Sequence, residues 1–135
     1  MSTRSYIGVS GPEGPNPTVK FIYCHWDGYP EGNGKLLHKH YGDRSKVEKL
    51  IGLGDISFLA PEVEPTDVHT FNDPQEGVVT AYHRDRGEEL RNAIHVDSPT
   101  YLNGDVEEFG YLFTKADEWV YVFDSDRRPR SCAQI

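Results

Sequence analysis

The chain is short of cysteine, of positive charge and of long apolar runs, and each shortage removes a class of protein. It has two cysteines, Cys24 and Cys132, too few for a disulfide-built scaffold, and two free thiols in a reducing compartment are expected. Fourteen Lys plus Arg stand against 22 Asp plus Glu, a formal charge of -8. That balance repels phosphate backbones and argues against duplex nucleic acid as a partner. No apolar run approaches a membrane span, and the opening MSTRSYIGVSGPEG lacks the apolar core of a signal peptide. No membrane partner is expected, and a cytoplasmic location is. Self-similarity at periods of about 20 to 50 residues is missing too, which argues against a repeat array.

What is present fits one domain, and 135 residues can bury a core without metals or disulfides. Thirteen glycines and nine prolines predict many turns. Residues 4–10 and 19–26 alternate as strands around GPEGPNP, a turn cluster, and so predict a hairpin. Large side chains on both faces of the second strand place it inside the sheet. After a Gly/Pro/Asn turn, Leu36, Leu37, His40 and Tyr41 predict a short helix capped by Asn33, and Val47, Leu50 and Ile51 a second one capped by Asp43. Residues 55–77 read as a meander with one short strand, and residues 78–83 as a further strand. The following RDRGEELRNAIHV reads either as a short helix or as a bend into a strand, with Ile94 and Val96 leaning toward strand. Residues 109–114 and 119–123 predict a second hairpin. The expected fold is α+β: one domain over residues 1–124, an antiparallel sheet of about five or six strands with two short helices packed on one face. Residues 125–135 are expected to be a flexible basic tail.

Several chemical readings fail on spacing. His38 and His40 sit two apart on a helix and so diverge, and with His25 and Asp27 they make a poor zinc set. No metal and no cofactor are expected. Cys24 and His25 are strand neighbours facing opposite ways, which excludes a nucleophile–base pair between them. His83-Arg84-Asp85 matches a kinase triplet in letters, but the rest of that machinery is missing. Carboxylate pairs among Asp27, Glu31, Asp85, Glu88 and Glu89 have no separation that sequence can supply. The most coherent reading is a site for a small anionic, nucleotide-like ligand. Trp26, Tyr29 and Tyr82 would stack a base, the Asn33 turn would meet phosphate at a helix start, Arg84 and Arg86 would clamp it, and Asp27 and His83 would border it. The competing reading makes the aromatics packing groups and pairs the two arginines with Asp85, Glu88 and Glu89.

The runs IYCHWDGYPEGNGKLL, KVEKLIGLGDIS, AYHRDRGEEL and GYLFTKADEWVYV, with the opening MSTRS, resemble a family of small uncharacterised proteins encoded by bacteriophages and prophages. The likeness spans most of the chain except the Pro-rich middle and the end. It implies a phage accessory protein acting in the bacterial host cytoplasm, where small phage proteins often counter host immunity. Three readings follow: sequestration of a nucleotide-derived immune signal, an acidic anti-CRISPR-like inhibitor of a host defence nuclease, or a small nucleotide hydrolase using His25 or His83. Sequestering proteins often bind between subunits, which admits a homodimer.

Overall fold

The computed structural model describes residues 2–11, 17–95, 97–103 and 108–135. β1 (Ser5–Ser10) and β2 (Val19–Cys24) pair antiparallel, from Ser5↔Cys24 to Ser10↔Val19. Residues 12–16 of the turn cluster between them lie outside the described residues, as does Val96. The outer edge of β2 is divided. β5 (Ala93–His95) pairs antiparallel with Val19–Phe21, and β3 (Ile56–Phe58) pairs parallel at Cys24. β4 (Thr80–Ala81) closes that side against β3. On the other edge of β1 lies β6 (Phe109–Phe113), in parallel, followed by its hairpin partner β7 (Trp119–Phe123) and by β8 (Arg130–Ser131).

The fold is α+β, but among the described residues the sheet has eight strands and is mixed, where an antiparallel sheet of five or six was expected. Four of the strands are only two or three residues long, too short to show a period of two. The parallel pairs depend on where the chain crosses over, which local alternation does not encode.

A π-helical turn, Pro30–Gly34, runs straight into α1 (Lys35–His40), and α2 (Arg44–Gly52) follows, with Asp43 accepting from the Ser45 N–H at its start. Leu37, Tyr41, Val47, Leu50 and Ile51 pack with Ile7, Val9, Ile22 and Cys24 into the main core. On the opposite face α4 (Ser98–Leu102) brings Tyr101 onto Val19 and Leu112. Gly8 makes that seat possible, because a Cβ there would lie 2.9 Å from Val19 Cγ1 and 3.1 Å from Tyr101 Cζ. Among the described residues α4 covers only part of this face, which stays half open, while α1 and α2 lie together on the other. Among the described residues no helix is long and apolar enough to cross a membrane.

The strand expected over residues 78–83 is cut to Thr80–Ala81, because α3 (Tyr82–Arg86) takes over. Asp85 Oδ2 accepts the Ala81 N–H at 2.8 Å, and Gly87, at φ 74°, ends the helix. Arg84 donates to Val63 O and Val79 O at 2.6 Å each and to both Asp85 oxygens. His69 Nδ1 accepts the Gln75 N–H at 2.9 Å. Its Nε2 lies 3.1 Å from Asp85 Oδ2, within ion-pair range but off the angle of a hydrogen bond. These bonds fasten the long 59–79 connection to α3. At the end of the chain, where a loose tail was expected, β8 pairs with β7, Arg130 lies 4.4 Å over the Phe123 ring, and Cys132 is buried.

Asp85→Ala should therefore cost about 2 kcal/mol of stability, read from the urea midpoint, because it removes the carboxylate partner of a part-buried arginine and the acceptor of a backbone N–H. Burial alone would raise the Asp85 carboxyl, but the hydrogen bonds from Arg84 and Ala81, with the His69 ring close by, hold it below its usual value. A folded-state value below the unfolded one stabilises above the unfolded pKa and is lost as pH falls through the folded value. The gap between wild type and variant is expected to narrow below about pH 4.

Candidate functional site

The first predicted cluster begins where β2 ends. His25 and Trp26 still donate along β3, to Ile56 O at 3.2 Å and Ser57 O at 3.0 Å. Asp27, at φ 57°, then turns the chain in the left-handed region. Trp26 and Tyr29 remain 42% and 41% exposed, and the Tyr29 hydroxyl lies 3.4 Å from Asp27 Oδ1. Asn33 is different. It is 2% exposed, caps no helix, and its side-chain amide donates to Ser5 Oγ, Trp26 O and Cys24 Sγ at 3.3–3.4 Å. The N–H groups of Gly32 and Asn33 are bonded within the turn, to Tyr29 O and Asp27 O. The expected phosphate seat is thus occupied by the protein's own bonds.

The second cluster is likewise engaged. Arg84 is the fastening described above. The Arg86 guanidinium lies 4.4 Å over Phe71 and 5.1 Å over Tyr82 and pairs with Glu88. His83 is exposed, with Nδ1 2.7 Å from Glu88 O. Tyr82 lines a hollow together with Tyr23.

The two groups of residues lie on either side of β3. Cys24 and Ala81 both register with Ile56, which sets them about 10 Å apart, two strand spacings. Between them stands Asp55, which the sequence reading did not single out. Its Oδ1 accepts the Tyr23 N–H at 2.9 Å, its N–H donates to Arg91 O at 2.9 Å, and its carbonyl accepts the Tyr82 N–H at 3.2 Å. Gly54 precedes it at φ 77°, with space for a Cβ closed by Leu90 Cδ1 at 2.8 Å and Arg91 O at 2.9 Å. Gly54 and Asp55 therefore form a wedge between β3 and β5.

Two hollows meet on this wedge. One, of about 280 Å³, is lined by Tyr6, Phe21, Tyr23, Asp55 and Arg91 with the start of β5. The other, of about 210 Å³, is lined by Tyr23, Asp55, Tyr82, Glu88, Glu89 and Arg91. An aromatic series runs along the half-open face, from Tyr101 through Phe21, Tyr6, Tyr23 and His25 to Trp26, with ring centroids 4.8–6.4 Å apart. The Tyr23 hydroxyl and His25 Nδ1 are 2.7 Å apart. Burial raises the Asp55 carboxyl above its usual value, against the opposing pull of the Tyr23 N–H and Arg91. Burial also raises the Tyr82 hydroxyl, opposed by Ser57 and Arg86. Such a cleft offers aromatic walls, the Asp55 carboxylate common to both hollows, and Glu88 and Glu89 in the second. The only clue in the sequence was the Gly-Asp pair at the mouth of a strand.

Cys24 is fully buried, and burial pushes its thiol up to about 12. It exists as a thiol bonded to Trp26 O and packs rather than reacts.

Two outcomes are expected. A thiol reagent such as DTNB should find no fast-reacting group in the native protein and two after denaturation, since Cys132 is also buried with its thiol raised. Asp55→Asn keeps the acceptor for Tyr23 and removes a charge that burial disfavours. A carboxyl raised on folding contributes stability below its unfolded pKa and loses it as pH rises through the folded value. The variant should therefore melt above wild type at pH 7, with the difference closing in acid.

The chain matches no family model, and no curated protein and no solved structure matches it significantly.

Proposed function

We propose that this protein is a non-enzymatic binding protein that captures a nucleotide-derived signal by its base, in the cleft between Tyr23 and Tyr82. The observation that carries the reading is the meeting of two hollows on Tyr23, Asp55 and Arg91. Clefts with aromatic walls and a few convergent polar groups are the usual form of small-ligand sites. Base stacking on such walls is worth about 1–3 kcal/mol per base. The phosphate clamp anticipated from Arg84 and Arg86 has no support, since both guanidiniums are engaged within the protein. The phosphate end is instead left toward solvent. Action in a bacterial cytoplasm against host immunity rests on the likeness of the sequence to phage proteins.

One observation favours the acidic inhibitor as a second reading. The 59–77 connection exposes Glu62, Glu64, Asp67, Asp73 and Glu76, contains no Lys or Arg, and is pinned by Arg84 and by Gln75, whose Oε1 accepts the N–H groups of Thr66 and Asp67. A stiff acidic loop would suit a basic groove.

A melting temperature that rises and saturates with a mono-, di- or cyclic nucleotide is expected, and Tyr23→Ala or Tyr82→Ala should remove most of the rise. No shift with any nucleotide, together with salt-sensitive capture of a basic protein that Glu62→Lys plus Glu64→Lys abolishes, would transfer the function to the loop.

A further inference from the structure

The base-capture reading, on which this step rests, leaves open which base the cleft takes. The groups at its centre narrow the choice. An ionised carboxylate accepts hydrogen bonds and donates none. Asp55 uses Oδ1 on the Tyr23 N–H, and both of its neighbouring hollows are walled by aromatic rings. A ligand seated there must therefore be flat and must bring donors to a half-buried anion. Leaving that anion without donors would carry the full cost of its desolvation.

The four common bases differ on this point. Adenine and cytosine each offer an amino group beside a ring nitrogen that is itself an acceptor, and that acceptor would face the carboxylate. Uracil offers one N–H flanked by two carbonyl oxygens. Guanine alone presents two adjacent donors, N1–H and the N2 amino group, on one planar edge, at the spacing of the two oxygens of a carboxylate. Its next atom along that edge, O6, is an acceptor, and Arg91 lines the same two hollows with donors only. Glu88 and Glu89 line the second hollow, where their charge opposes the phosphate end of a nucleotide and favours the base end.

We propose that the cleft is selective for guanine, with Asp55 reading the N1–H/N2 edge, Tyr23 and Tyr82 flanking the ring, and Arg91 meeting O6.

The test is isothermal titration of the purified protein with GMP, IMP, AMP, CMP and UMP. IMP is guanine's nearest analogue and lacks only the N2 amino group. A site built around that donor should bind GMP at least about tenfold more tightly than IMP, and more tightly again than AMP, CMP or UMP. In Asp55→Asn the preference for GMP over IMP should fall severalfold. Equal binding of GMP and IMP, or equal binding of GMP and AMP, overturns guanine selectivity and leaves base capture standing. Binding of none of the five overturns both. Binding of arginine methyl ester in their place would assign the pair of donors to a basic protein side chain, and also overturns both. Because the GMP and IMP comparison uses the unmodified protein, the outcome does not depend on the variant folding.

Discussion

The divided outer edge of β2 is the constraint on which the rest of this molecule turns. β5 ends its pairing at Phe21 and β3 begins at Cys24, so the Tyr23 N–H would be stranded between two short strands. A buried unpaired N–H costs about 1–3 kcal/mol, and Asp55 removes that cost by accepting the bond. The repair locks three segments together, because the same residue also bonds Arg91 and Tyr82 through its main chain. An asparagine could accept the Tyr23 bond equally well without placing a charge where burial disfavours it. The structural role therefore accounts for an acceptor at position 55, and Arg91 only partly offsets the burial of its charge. Groups held at such a disadvantage cluster at functional sites, which is the physical reason to look for a ligand at this wedge.

The legible part of the fold was the part with a long period. β1, β2, β6 and β7 are five or six residues each and rich in strand formers, and α2, nine residues long, shows its apolar stripe after the Asp43 cap. The short strands β3, β4, β5 and β8 have no period to read, and they are also the ones that make the sheet mixed or extend it. α3 hides a different cue. Residues 78–83 look like a strand because Val78, Val79 and Tyr82 are strand formers, yet the Asp85 carboxylate reaches back to Ala81 and starts a helix that Gly87 ends. A side-chain bond over four residues outweighed β propensity.

The candidate site was legible as a neighbourhood and not as a set of groups. Its two clusters lie on either side of β3, and Tyr82 lines the cleft. The arginines were misread because sequence does not show which donors are already taken. Arg84 is surrounded by carbonyls of a loop that has no helix or sheet to bond to, and it supplies donors to two of them. Arg86 covers two aromatic rings that would otherwise face water. Asn33 looked like a helix cap and proved to be a buried tie between β1 and the turn. Tyr23, Asp55 and Arg91 escaped notice because their meeting is fixed by the register of β2 against two strands that arrive from 30 to 70 residues away, roughly, in a mixed sheet.

A chain with a formal charge of -8 is an unlikely-looking host for a nucleotide only if the phosphate is what it holds. In the proposed arrangement the base enters between the rings and the phosphate stays in water, where screening over about 8–10 Å reduces repulsion from the rest of the surface. The acidic surface then changes from an obstacle into a filter. Each added phosphate raises the repulsion while the base contacts stay the same, so a polymer of nucleotides is disfavoured far more than a single one. Selectivity for a small signal over the cell's abundant RNA would follow from the charge of the whole molecule, and recognition of the base from one wedge in its sheet.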